Sequence, residues 1–230
     1  MVPSRDTLRS NLDAIRARIE RACARAGRDP KDVLLVAASK SVAAEVVTAA
    51  AGIGITDFGE NYVNELRAKH PAAPSVRWHF IGTLQASGAH HVAALADVVQ
   101  TIAGGRATDR LASRAAQGGR TLEALIEVDF TGERSGVPPG DVPGLADRIA
   151  GSAGLRLTGL MTIPAFTEDP EEARATFVKL RELRDLIAHD HPEVLELSMG
   201  MSLDYEVAVE EGATMVRVGT ALFGPRVPSM

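Results

Sequence analysis

From Val33 onward, short apolar runs of strand type alternate with helical segments in one unbroken series. The strand-like runs are Val33–Ala38, Ile55–Phe58, Arg77–Ile81, Val98–Ile102, Leu122–Val128, Leu155–Met161, Leu195–Met199 and Met215–Val218. Helical composition fills the gaps at Val42–Ala51, Tyr62–Lys69, Ala86–Leu95, Arg106–Gln117, Val142–Ala150, Glu171–Ala188 and Leu203–Glu211. A helix between successive strands is the crossover that parallel pairing requires. Eight such units predict an α/β fold of the (β/α)8 TIM-barrel type, with an open doubly wound sheet as the rival. In front, Leu8, Leu12, Ile15, Ile19, Ala22 and Ala26 form the stripe of an extra N-terminal helix, which Gly27 and Asp29-Pro30 end. Cys23, beside that stripe, reads as a small buried hydrophobe.

The 230 residues suit one such barrel, and no Pro- or Ser-rich linker divides them, so a single domain over residues 1–230 is expected. A hydrophobic fraction of 45% and a charged fraction of 24% are those of an ordinary globular chain. A net charge of −5 weighs against nucleic-acid binding. The one cysteine excludes an internal disulfide. No stretch approaches the ~18 consecutive apolar residues of a membrane span. Met1–Asp29 is rich in arginine and lacks an apolar signal core, so a cytoplasmic protein is expected.

Functional groups in such a barrel collect where strands end. The chain has four lysines against 21 arginines. Lys31, Lys69 and Lys179 sit among polar residues, as solvated lysines do, whereas Lys40 directly follows the apolar first strand. A desolvated lysine is a nucleophile suited to a Schiff base with a carbonyl; an ammonium reaching solvent at the rim is the plainer reading. The second strand leads into Asp57-Phe58-Gly59-Glu60-Asn61, a polar turn with Asn61 as a cap or a site group. Ser198-Met199-Gly200-Met201-Ser202, with Ser202 as an expected N-cap, and Arg217-Val218-Gly219-Thr220 suggest an anion site after strands seven and eight. A Schiff-base lysine and a phosphate cradle in one barrel suit pyridoxal 5′-phosphate (PLP), or a sugar phosphate in an aldolase. Adjacent His90 and His91 diverge on a helix, and His189 and His191 flank a helix end, so no metal site is expected.

Six ordered motifs carry a resemblance: Ala38-Ser39-Lys40, Phe58-Gly59-Glu60-Asn61, Trp78-His79-Phe80-Ile81-Gly82 with Leu84-Gln85, Gly159-Leu160-Met161-Thr162-Ile163-Pro164, Ser198–Ser202 and Arg217–Thr220. Over nearly its whole length the chain resembles the pyridoxal phosphate homeostasis protein family and is similar to the N-terminal barrel of alanine racemase. The resemblance implies PLP as cofactor, with Lys40 as the Schiff-base lysine and Ser202, Gly219 and Thr220 as phosphate ligands. It places Arg217 at the pyridine nitrogen, and Asn61 and His79 near the cofactor. It also implies buffering and delivery of PLP to apo PLP-dependent enzymes, by a monomer or weak dimer with no nucleic-acid or membrane partner. Two family lysines are absent, where the chain reads Ala86-Ser87-Gly88 and Glu133-Arg134-Ser135-Gly136. Exchange of PLP with a partner, or a second PLP site, could depend on them. The alternative function is a weak PLP-dependent racemase using Lys40 and Tyr62; the second, β-rich racemase domain is not expected here.

Overall fold

A computed structural model describes residues 3–225. Helix α1 (Arg5–Ala26) starts at Ser4, whose side chain accepts from the Thr7 N–H, and stops at Gly27, whose φ of 65° is left-handed. Its stripe of Leu8, Leu12, Ile15, Ile19 and Ala22 is buried together with Cys23.

The series then runs β1 (Leu34–Ala38), α2 (Ala44–Ala51), β2 (Asp57–Glu60), α3 (Val63–Lys69), β3 (Arg77–Phe80), α4 (Ala89–Leu95), β4 (Val98–Ile102) and α5 (Gly105–Gln117). It continues β5 (Leu122–Val128), α6 (Val142–Ala150), β6 (Leu155–Thr162), α7 (Arg174–Asp190), β7 (Glu196–Ser198), α8 (Tyr205–Glu210), β8 (Met215–Val218) and α9 (Thr220–Phe223). Every neighbouring pair is parallel, and β8 returns to β1 with Leu34 opposite Met215 and Ala37 opposite Val218. That closure excludes the open sheet: this is a (β/α)8 barrel.

The period of two along each strand sorts side chains into two cores. Phe58, Trp78, Phe80 and Val99 point outward to the helix layer. Val98, Leu125, Met161 and Met215 cluster with Leu34 and Ile163. β4 and β8 lie on opposite sides of the barrel, so their side chains meet only through its interior. Trp78 is fully buried and donates its Nε1–H to the Ala73 carbonyl at 3.2 Å, so its one polar atom is satisfied.

Several expected boundaries shift. The second strand begins at Asp57 rather than Ile55, because its pairing starts there, with Asp57 opposite Val36 of β1 and Arg77 of β3. Residues Pro170–Ala173 form a 3₁₀ turn before α7, with Asp169 accepting from the Glu171 N–H. Ser202 is not the cap of α8: Asp204 holds that place and accepts from the Met201 N–H at 2.6 Å. A final short helix, α9, was not part of the expected series. Gly82 is demanded by a close approach, since a Cβ there would lie 1.9 Å from the Asn61 carbonyl oxygen.

Candidate functional site

At the C-terminal ends of the strands lies a cavity of about 620 Å³. Its wall contains Lys40, Asn61, Ser202, Arg217, Gly219 and Thr220, six of the seven candidate residues. Ile81, Ile163, Pro164 and Phe223 supply apolar surface, and Phe166, 82% exposed, stands at the mouth.

Lys40 enters the cavity because the β1 alternation continues past the strand: Ala38 and Lys40 line the wall, and Ser39 between them faces outward. Ser39 Oγ donates to Glu60 Oε1 at 2.6 Å, and its N–H donates to the Gly59 carbonyl at 2.9 Å. Ser41 holds a left-handed φ of 63° while its N–H donates to Glu65 Oε2 at 2.7 Å. Lys69 ties these contacts together. Its Nζ donates to the Ser39 carbonyl at 2.7 Å, to Glu60 Oε1 at 2.8 Å and to Glu65 Oε2 at 2.5 Å. The expectation of a solvated Lys69 is therefore wrong: it is 4% exposed beneath the Lys40 loop. Its i,i+4 spacing from Glu65 was the readable signal. Burial pushes the Glu60 carboxyl up, and hydrogen bonds from Lys69 and Ser39 pull it down.

Asn61 caps no helix, since Tyr62 occupies the N-cap position of α3 without a side-chain bond. Its side-chain oxygen is buried with no hydrogen-bond partner among the described residues. In a cavity wall, such an acceptor suits a ligand donor.

On the opposite wall, the loop after β7 meets the start of α9, where Ser202 Oγ accepts from the Ala221 N–H at 3.4 Å. The first N–H groups of a helix have no intrahelical partner, so with the Ser202 and Thr220 hydroxyls they form a donor-rich end. Gly219 sits against β1; a Cβ there would lie 3.1 Å from the Ala38 carbonyl oxygen.

Arg217 is buried at the inner end of the cavity. Its Nη1 donates to the Ser198 carbonyl at 2.9 Å and to Ser198 Oγ at 2.6 Å, and its Nη2 donates to the Thr162 carbonyl at 2.9 Å. Complete burial pulls it down to about 10, with Asp204 and Glu127 opposing, so it is a cation at neutral pH. A guanidinium has five N–H donors, so some remain for a ligand.

His79 and Tyr62 stand apart from this wall. His79 lies inside the barrel, between Asp57 and Gln100, because the β3 register points it toward the axis below the cavity floor. Tyr62 is 58% exposed on the rim.

Sequence reasoning passed over Arg134, which lines the cavity and donates to the Pro164 carbonyl at 3.2 Å. Asp129 shapes its loop. That carboxylate accepts from the Thr131 hydroxyl and from the backbone N–H groups of Thr131, Gly132 and Arg134. Against the opposing cost of burial, these bonds hold Asp129 at about 2. Asp129→Asn should therefore cost about 1–2 kcal/mol at pH 7. A depressed acid stabilises above its unfolded range near 3.8 and loses that contribution as pH falls toward 2, so the deficit should shrink over that interval in urea melts.

Among the described residues no cluster of three or more His, Cys, Asp or Glu could hold a metal, and no helix is long and apolar enough to cross a membrane.

The alanine racemase N-terminal domain family matches residues 10–227, and the closed parallel barrel with a lysine, an arginine and hydroxyls at its rim agrees with that class. Within that class, the chain belongs to the pyridoxal phosphate homeostasis protein family. The Aquifex aeolicus pyridoxal phosphate homeostasis protein is 39% identical over 94% of this chain and 96% of its own length. The crystal structure of an unknown protein from Bifidobacterium adolescentis is 30% identical, with a TM-score of 0.88 over 95% of each chain. PipY from Synechococcus elongatus, solved with PLP bound, is 31% identical, with a TM-score of 0.80 over 90% of this chain and 100% of its own.

Proposed function

We propose that this barrel binds PLP in the rim cavity, buffers it in the cytoplasm and delivers it to apo PLP-dependent enzymes. The observation that carries the reading is the set of polar groups facing one cavity: an amine, a guanidinium, two hydroxyls and a partnerless amide oxygen that can accept, around an apolar slot. That set fits a phosphorylated aromatic aldehyde. PLP supplies an aldehyde that condenses with a primary amine and a ring that can accept electrons from a bound carbon.

Lys40 presents the amine. Ser202, Thr220 and the backbone at Gly219 hold the phosphate end. Arg217 donates and never accepts, so it keeps a facing ring nitrogen unprotonated and the ring a weak electron sink. That favours holding over turnover. Arg134 restores a cation where the family's loop lysine is absent, which supports exchange of an anionic ligand through this mouth. The relatives named for PLP homeostasis and the PLP-bound neighbour support the same reading.

A racemase needs a second base across the ligand, and Tyr62 does not line the cavity. The discriminating experiment mixes the PLP-loaded chain, acting as a monomer or weak dimer, with an apo-enzyme while free PLP is trapped. Recovered activity faster than the trapped control, with no D-/L-alanine exchange, is the expected result. Robust alanine exchange without transfer would reverse the reading.

A further inference from the structure

Barrel interiors of this class are normally packed with branched apolar side chains. Part of this one follows that rule, with Val98, Leu125, Met161 and Met215 in contact. The interior also holds a file of buried polar groups. Arg217 Nη1 donates to Ser198 Oγ at 2.6 Å, and Ser198 Oγ donates to Gln100 Oε1 at 2.7 Å. Gln100 Nε2 lies 2.9 Å from His79 Nδ1, and His79 Nε2 lies 2.9 Å from Asp57 Oδ1.

The direction of the file follows from its ends. A guanidinium only donates and a carboxylate only accepts. Ser198 Oγ therefore accepts a hydrogen bond from Arg217 and donates its own O–H to the Gln100 oxygen. The Gln100 amide then donates to Nδ1, so His79 is the neutral tautomer with its proton on Nε2, donated to Asp57. Each link has one donor and one acceptor. Such a file costs more to bury than leucine or valine would, and a half-satisfied version costs more still. The file begins at the cavity wall and ends at the first residue of β2, with opposite charges at its two ends.

We infer that Ser198, Gln100, His79 and Asp57 are positioning residues that hold the Arg217 guanidinium in one orientation toward the ligand in the cavity. This rests on the PLP reading above. The backbone carbonyls of Ser198 and Thr162 would still bind the guanidinium without the file. The file fixes which lone pair of Ser198 Oγ faces it.

Three variants test this. Gln100→Leu cuts the file and should weaken PLP binding about tenfold, through loss of the Arg217 orientation it sets. Gln100→Glu still accepts from Ser198 and should keep affinity within about twofold of the original chain. Facing two carboxylates, His79 should then take a second proton and give the nitrogen-15 NMR signature of an imidazolium near neutral pH. Leu125→Ala, in the apolar part of the interior, should destabilise the chain yet leave affinity unchanged. If Gln100→Leu does not fold, Ser198→Ala cuts the file next to Arg217 and carries the same expectation.

Equal affinities for Gln100→Leu and Leu125→Ala would overturn the positioning role. So would NMR of the PLP-free chain showing His79 protonated on Nδ1. No PLP uptake by the unaltered chain would overturn the function reading and the positioning role with it; the NMR result would still report whether the file exists.

Discussion

Lys69→Met should lower stability by about 3–5 kcal/mol, because it removes a cation hydrogen-bonded to a fully buried carboxylate. Glu60 is 0% exposed, and its Oε2 has no partner among the described residues. Ser39 Oγ would still donate to its Oε1. The deficit should depend on pH. Burial already raises the Glu60 carboxyl in the folded chain, and losing Lys69 raises it further. A folded state that binds a proton more tightly than the unfolded chain gains stability as pH falls. The variant should thus recover part of its loss between pH 7 and pH 5, and Lys69→Met with Glu60→Gln should be more stable at pH 7 than Lys69→Met alone. Urea denaturation of the unaltered chain and these two variants at both pH values measures this. The function should suffer as well, since Lys69 and Glu65 clamp the residues on either side of Lys40.

Arg217→Leu should cost a similar amount and also weaken PLP binding by tenfold to about a hundredfold. Three acceptors lose their donor: the Ser198 carbonyl, its hydroxyl and the Thr162 carbonyl. Two acids lose their counter-charge. Burial pushes both Glu127 and Asp204 up, and Arg217 holds them down. Without it both should bind protons at higher pH, so this variant too should be relatively more stable at pH 5 than at pH 7. Arg217→Lys should keep part of the stability but not the affinity, because an ammonium is a point donor without the planar fork. Denaturation midpoints against pH, with PLP titrations of the same samples, separate the two effects.

The strand–helix series was legible because each strand is a short apolar run bounded by polar residues, and eight runs leave few parallel architectures. Closure was not legible: it rests on β1 meeting β8, a pairing between residues nearly the whole chain apart. Lys40 stood out as the one lysine directly following a buried strand. The i,i+4 spacing of Lys69 from Glu65 was readable, but its burial also rests on the Ser39 carbonyl and Glu60, which the folded barrel brings to it. His79 sits in a motif that the resemblance ties to the cofactor, yet the β3 register turns it into the barrel. A strand's period of two says which residues share a face, while depth along the axis needs the closed barrel. Ser202 looked like a cap because it precedes a helical run, but a turn bonded by Asp204 delays α8 until Tyr205.

Lys40 is the residue proposed to anchor PLP in the rim cavity. The direct measurement is a visible spectrum of the chain with added PLP, before and after borohydride reduction, followed by peptide mapping. A yellow band that reduction bleaches, with the pyridoxyl group fixed on Lys40 and absent from Lys40→Ala, is the predicted result. A colourless mixture, or a label spread over Lys31, Lys69 and Lys179, would contradict it.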